Sequence, residues 1–285
     1  MTSVVAGLTD RQLELLHRWL PGAAVVQDHS WGLVGTTVLE LLLDGARFIA
    51  KAGDEKDRHL ARELHAHRNW LQRWTSRGRA PQLVHADVDA KFIVTRYLPG
   101  LLAQGSDHER RPDTYRQAGE LLALFHAQFA VEDSDFEARE KAKTLAWLSS
   151  SHRIAPDVTA RVRAQMESWP ATSSTLVPTH GDWQPRNWLV HEGVVRVIDF
   201  GRADLRPAFT DFARLAAQQF RADPALESAF LDGYGTDPRD RCPWRRHRLR
   251  EAIGTAVWAY QVGAEAFEQQ GHRMIAEALD EEISG

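Results

Sequence analysis

One stretch, residues 179–204, constrains the fold of this chain more than any other: THGDWQPRNWLVHEGVVRVIDFGRAD. Two short apolar runs, WLV and VVRVI, flank His191-Glu192-Gly193, which reads as a hairpin loop with glycine at its last position. The hairpin interrupts a region otherwise patterned as helix. It carries Asp182 and Asn187 before its first run and Asp199 at the end of its second. If residue 190 opposes 194, then 187 opposes 197, and Asp199 lies just beyond that pair. An amide and a carboxylate are thereby brought to one open end. Asx turns capping the strands would explain each residue singly, but not their convergence.

Hard oxygen donors of this kind suit Mg2+ when substrate phosphates and water complete its shell. Asp182, on the loop feeding the same end, is placed to accept a proton from a hydroxyl. Phosphates bound with Mg2+ call for a cation, and Lys51 in the apolar run RFIAKA is the candidate. It is conspicuous because lysine occurs only at 51, 56, 91, 141 and 143, against thirty arginines. A buried lysine needs a partner. Residues 54–77 read as one long helix ended by Gly78, with Leu60, Leu64, His67, Trp70, Leu71 and Trp74 on one face. Among residues 60–74, Glu63 carries the only formal charge on that arc. A carboxylate there is costly unless paired, and pairing with Lys51 satisfies both groups. The alternative is a Glu63 at the edge of the stripe that reaches water.

The remaining sequence sets the frame. Thr9 caps a short helix that stops at Pro21-Gly22, and Asp44-Gly45 joins two β-patterned runs as a hairpin. PQLVHAD and KFIVTRYL pair across Val88-Asp89. After LPG at 98–100 the strands nearly stop: 112–129, the segment around 140–168, and 209 through 280 read as helices. Between the first two strands, HSWGLVGT offers Ser30, Gly32 and Gly35, and a glycine-bearing loop lets backbone N–H groups approach phosphates. G-x-x-x-x-G-K-[ST], G-x-S-x-G, H-E-x-x-H and paired cysteines are all missing. A length of 285 residues suffices for one large domain or two lobes. No apolar run approaches the roughly 18 residues of a membrane span, and the start MTSVVAGLTD lacks the features of a signal peptide. With the single Cys242, these features lead us to expect a reducing, cytoplasmic setting and no membrane partner. A net charge of −4 does not favour nucleic acid as partner. RDRCPWRRHRLR at 239–250, with six Arg against one Asp, accordingly reads as a solvated helix face.

Glycine loop, strand lysine, helix glutamate, hinge, loop Asp with Asn five residues on, and a final metal Asp follow the order of kinase-like phosphoryl transfer. On these residues the chain resembles the aminoglycoside phosphotransferase and choline kinase group. Its signature H-G-D-x-x-x-x-N, then I-D-[FW]-G, stands here as His180-Gly181-Asp182-Trp183-Gln184-Pro185-Arg186-Asn187 and Ile198-Asp199-Phe200-Gly201. YLPG at 97–100 is similar to that family's hinge, LLALFHA at 121–127 to its helix before the catalytic loop, and TDFARL, with Asp211, to the helix bracing the metal loop. The resemblance covers about residues 10–270.

It implies an α+β, bilobal protein-kinase-like fold. The N-terminal nucleotide-binding lobe, an antiparallel sheet plus helix, would span 1–98, and a mainly helical catalytic and substrate-binding lobe 99–285. It implies ATP and Mg2+ as cofactors, Asp182 as catalytic base, and Asn187 and Asp199 as metal ligands. Lys51 would hold the α/β-phosphates, positioned by Glu63, with Ser30 and Gly32 in the phosphate loop and backbone groups of Arg96 and Leu98 at adenine. His180 would be a structural hydrogen-bonder. Trp183 and Gln184 depart from the family, where a smaller apolar residue and His are frequent. Trp183, Trp258, Glu265 and Glu268 are the candidates for contact with the acceptor, although aromatics at such spacing are more often core. The expected activity is O-phosphorylation of a cationic, hydroxylated antibiotic, an aminoglycoside or a capreomycin/viomycin-type cyclic peptide, by a monomer or weak homodimer. A kinase for choline, homoserine or a sugar-amine is the alternative within the class, and a non-catalytic nucleotide-binding module the alternative outside it.

Overall fold

Residues 7–30, 35–170 and 172–280 are described in a computed structural model. Helix α1 (Asp10–Trp19) begins where Thr9 and Gln12 form a capping box: the Thr9 hydroxyl accepts from the Gln12 amide, and the Gln12 side chain accepts from the Thr9 amide. Its buried Leu15 and Leu16 share a core with β2 (Thr36–Leu43), β3 (Ala46–Gly53) and β5 (Phe92–Arg96). With β1 (Ala24–Asp28) and β4 (Leu83–Asp87), these form an antiparallel sheet in the order β1-β2-β3-β5-β4. The β2–β3 turn is Asp44-Gly45, with φ of 50° and 79°. Two consecutive positive φ values give the turn whose twist matches a hairpin.

The helical pattern of 54–77 is broken in two, α2 (His59–Asn69) and α3 (Gln72–Thr75). Asp57 Oδ1 accepts the N–H groups of His59 and Leu60, at 3.0 and 2.9 Å, so the helix starts after Asp57 rather than at 54. At its other end the Leu71 N–H bonds back five residues to the Ala66 carbonyl, a wider turn than the α-helical one, and the first helix ends there. The apolar stripe survives the break: Leu60, Leu64, His67, Trp70, Leu71 and Trp74 are all buried, and so is Glu63.

The chain forms two compact units. The first comprises 1–125, 180–204 and 228–234. Besides the five-stranded sheet it holds β6 (Leu101–Leu102) and most of α4 (Pro112–His126). The second unit begins with β7 (Val131–Asp133), α5 (Phe136–Trp147), α6 (Pro156–Glu167) and β8 (Ser174–Thr179). Residues 140–168 are therefore two helices with a turn between them. β9 (Trp188–His191) and β10 (Val194–Val197) return to the first unit as a sheet in the order β10-β9-β6. The rest is β11 (Asp204–Arg206), short α7 (Ala213–Ala217) and α8 (Gln219–Ala222), α9 (Pro224–Tyr234), α10 (Arg241–Val262) and α11 (Glu265–Asp280).

Two further corrections to the sequence expectation lie in the C-terminal half. A separate sheet in the order β11-β8-β7 is present there in addition to the hairpin, and two of its strands are only three residues long. The arginines of 239–250 do not all face water. Arg250 and Arg246, 4% and 9% exposed, lie 2.5 and 3.5 Å from the buried Glu137 carboxylate, and Arg239 pairs with Glu227 and Asp237. Buried guanidinium groups require such partners. Among the described residues no helix is long and apolar enough to cross a membrane.

Within the first unit α4 meets the 228–234 end of α9 at two glycines. A Cβ on Gly119 would overlap the Phe230 carbonyl, and one on Gly233 would overlap the Arg116 carbonyl.

Candidate active site

The β9–β10 hairpin pairs His191 with Val194 and Trp188 with Val197. The loop is thus two residues, Glu192-Gly193, with φ of 52° and 76°, and the register is one residue off the expected 190/194 pairing. Asn187 therefore faces Ile198, whose N–H donates to the Asn187 carbonyl at 3.0 Å. Asp199 follows directly. Its φ of 64° is left-handed, a conformation that Asp tolerates better than most residues and that aims its half-exposed carboxylate out of the strand path.

Lys51 lies on β3, on the face opposite Phe48, Ala50 and Ala52. Its Nζ donates to both Glu63 oxygens, at 2.8 and 3.0 Å, and to Asp199 Oδ1 at 3.3 Å. Burial pulls the Lys51 ammonium down, but the carboxylates of Asp199 and Glu63 outweigh it and hold the group above its ordinary value. Lys51 in turn holds the Asp199 carboxyl below the usual range. Burial pushes the Glu63 carboxyl up, and the Lys51 ammonium opposes that shift. One turn on, His67 Nε2 is 4.0 Å from Glu63. Burial lowers His67 to about 4, so near neutrality the ring is uncharged and this contact is no ion pair. His59, at the start of α2, places Nδ1 3.0 Å from the Gly201 carbonyl and ties the helix to the segment after Asp199.

The loop from 180 to 187 is held from within. His180 is fully buried: Nε2 lies 3.1 Å from the Ile198 carbonyl, and Nδ1 accepts from the Asp182 amide at 3.3 Å. Asp182 Oδ1 accepts from Gln184 Nε2 at 2.5 Å. Oδ2 accepts from Arg186 Nη2 at 2.7 Å and Asn187 Nδ2 at 3.0 Å. Asn187 Nδ2 also donates to the Asp182 carbonyl at 2.8 Å, so the amide nitrogen faces the loop and Oδ1 is the atom that a cation would use. Asn187 Oδ1 and the Asp199 carboxylate are oxygen donors on backbone-linked residues, and among the described residues no group of three or more His, Cys, Asp or Glu could hold a metal. Few protein ligands, all oxygen, fit Mg2+ completed by phosphates and water, and do not fit zinc.

Other candidate positions lie elsewhere. Ser30 Oγ accepts from the Val38 amide, while Gly32 falls outside the described residues. The Arg96 amide donates to the Gln82 carbonyl, and Leu98 is half-buried. Trp183 offers no stacking face: it is fully buried, its ring 5.4 Å from His180, 5.7 Å from Trp188 and 6.0 Å from Trp74. In the second unit Glu268 is buried, and both its oxygens accept from Arg153, whose guanidinium holds it below the usual carboxylate range. Glu268 is thus already neutralised. Trp258 is half-buried with an edge contact to Phe267, and Glu265 is exposed. Sequence reasoning missed Arg186 and His59. Arg186 had a signal, its spacing of four from Asp182 in a turn opened by Pro185, whereas the His59–Gly201 contact spans 142 positions and had none.

Lys51 is thus shared between a helix glutamate and the hairpin aspartate, and Asp182 is tied to an Asn five residues on. The model of the family described as "Phosphotransferase enzyme family" matches residues 26–248, and the chain belongs to that family. No curated protein sequence matches it. Solved structures show the same fold at low identity. A thermostable mutant of aminoglycoside phosphotransferase APH(4)-Ia, in ternary complex with ADP and hygromycin B, is 12% identical with a TM-score of 0.71, over 95% of this chain and 98% of that one. Choline kinase LicA from Streptococcus pneumoniae is 13% identical with a TM-score of 0.67, over 94% and 97%. Macrolide 2'-phosphotransferase MphH from Brachybacterium faecium is 19% identical with a TM-score of 0.61, over 94% and 98%. The α+β fold expected from sequence is the one observed, and the chain is an enzyme of the phosphotransferase class.

Proposed function

We propose that this enzyme transfers the γ-phosphoryl group of ATP to a hydroxyl of a small hydroxylated antibiotic. The observation that carries the reading is Lys51, bonded at once to Glu63 and Asp199 in a buried setting, an arrangement with no packing purpose and a clear one beside phosphates. Glu63 fixes the ammonium so that it meets the α/β-phosphates without reorganising. Asn187 Oδ1 and Asp199 would hold Mg2+, which supplies charge neutralisation at the phosphates when bound. Asp182 orients the acceptor hydroxyl and takes its proton as the new O–P bond forms and the bond to the β-phosphate oxygen breaks, leaving ADP. Residues 1–98, with Ser30, Gly32, Arg96 and Leu98, would serve the nucleotide, and 99–285 catalysis and the acceptor.

Aminoglycosides and capreomycin/viomycin-type peptides are the acceptors we favour. The exposed Glu265 and the net charge of −4 suit a cation, and hygromycin B is bound by a protein of the same fold. A metabolite kinase is the second reading, because a choline kinase shares the fold nearly as closely. We further infer a monomer or weak homodimer in the cytoplasm, without nucleic-acid or membrane partners. The test is ADP release against a panel of hydroxylated antibiotics and metabolites, with Asp182→Ala as control. The variant is expected to lose transfer and keep ATP binding. A response to choline or homoserine alone would overturn the antibiotic reading, and full turnover by the variant would overturn the base assignment.

A further inference from the structure

Between Asp182 and Asn187 the chain carries an arginine that the reaction above does not use. The side chains that donate to the Asp182 carboxylate include Gln184 at 2.5 Å, Arg186 at 2.7 Å and Asn187 at 3.0 Å. Gln184 and Asn187 are buried, 6% and 4% exposed, as is Asp182 at 3%. The Arg186 side chain is 30% exposed and, unlike Gln184 and Asn187, is charged. Arg186 therefore runs from the enclosed Asp182 carboxylate to the exposed surface of the loop. A guanidinium is a planar fork whose donors diverge, so it can hold a carboxylate and a second anion together.

Resting on the phosphotransferase reading, we propose that Arg186 is a positioning residue for phosphoryl transfer. It fixes the Asp182 carboxylate through Oδ2, as Gln184 does through Oδ1, and so holds it in one orientation for the acceptor hydroxyl. It also supplies in cis a cation, additional to Lys51, for the charge that spreads over the transferred oxygens. The 3-10 turn Pro185–Asn187 makes this possible, because it folds the position four residues after Asp182 back onto the carboxylate.

The test uses the full chain, Mg-ATP as probe and water as acceptor, reading ADP release together with ATP affinity by calorimetry. For Arg186→Ala, kcat is expected to fall on the order of 10- to 100-fold, the worth of a charge-assisted hydrogen bond, with ATP affinity and melting temperature little changed. Arg186→Lys, which keeps the charge and loses the fork, should fall between the two. Added guanidinium should restore part of the Ala variant's rate and leave wild type unaffected. Wild-type turnover by the Ala variant overturns the proposal. So does a loss that guanidinium does not restore and that comes with weaker ATP binding or a lower melting temperature, since that pattern marks a merely structural role. A wild-type chain that binds no ATP and releases no ADP overturns the phosphotransferase reading itself, and this proposal with it.

Discussion

Glu63→Gln tests the site at the point where folding and function meet. The amide keeps the shape of the side chain and one oxygen acceptor but removes the charge facing Lys51. Removing one partner of a buried ion pair costs about 3–5 kcal/mol when nothing replaces it. Here the loss is smaller, because Lys51 keeps Asp199 at 3.3 Å and the amide oxygen can still accept one of the two bonds now at 2.8 and 3.0 Å. What disappears is one hydrogen bond between charged groups, about 2 kcal/mol. Urea unfolding should therefore show an unfolding free energy lowered by about 2 kcal/mol, read as a lower midpoint with the slope unchanged. The catalytic effect has the same origin. Asp199 becomes the remaining counter-charge of Lys51, and the nucleotide must compete with it. The same ~2 kcal/mol predicts a fall of about 30-fold in kcat/KM for ATP, read from ADP release. A variant with unchanged stability and unchanged kcat/KM would refute the claim that Glu63 holds Lys51 in place.

Two further outcomes follow from packing and burial. Gly119→Ala places a methyl group against the Phe230 carbonyl and 2.8 Å from the Tyr234 amide, so α4 and α9 must separate; the expected cost is about 1–3 kcal/mol in urea unfolding, and an unchanged midpoint would show that the contact is not close. Among the described residues His67 has no hydrogen-bond partner at either ring nitrogen, and its folded-state value of about 4 lies below the ordinary 6.5. The unfolded chain therefore binds the proton first, and stability is lost as pH falls from about 6.5 towards 4, by up to ~3 kcal/mol. His67→Phe, against Phe200, should flatten that acid limb of the unfolding curve, and an identical limb in both proteins would remove His67 as its cause.

Where the local pattern was regular, the fold was legible. The Thr9 capping box, the Asp44-Gly45 turn and the buried stripe from Leu60 to Trp74 follow from side-chain chemistry within a few residues. Illegible features lay outside the hydrophobic pattern or depended on partners far along the chain. The length of α2 was set by Asp57 and by the Leu71-to-Ala66 bond, both outside the hydrophobic period that suggested one helix. Arg246 and Arg250 looked solvated because Glu137, which makes their burial tolerable, lies more than a hundred positions away. Glu268 looked available for the same reason: Arg153 is 115 positions distant.

The candidate site falls on both sides of that divide. The donors to Asp182 come from within five residues of it, so the loop is a local device, and a turn opened by Pro185 suffices to bring Gln184, Arg186 and Asn187 onto one carboxylate. The Lys51–Glu63–Asp199 group is non-local, with separations of 12 and 148 positions. It was nevertheless inferable in part, because a lysine in an apolar strand and a glutamate on an apolar stripe each carry a burial cost that only an opposite charge removes. Trp183 shows the reverse case. An indole beside a catalytic aspartate invites a ligand-stacking role, yet Trp74, His180 and Trp188 already surround the ring, and its neighbour Gln184 reaches the carboxylate instead. Adjacency in sequence places a residue near the chemistry, but the local backbone conformation decides whether its side chain faces the Asp182 carboxylate or the core. In this loop it sends Trp183 inward and leaves Arg186 as the partly exposed cation beside Asp182.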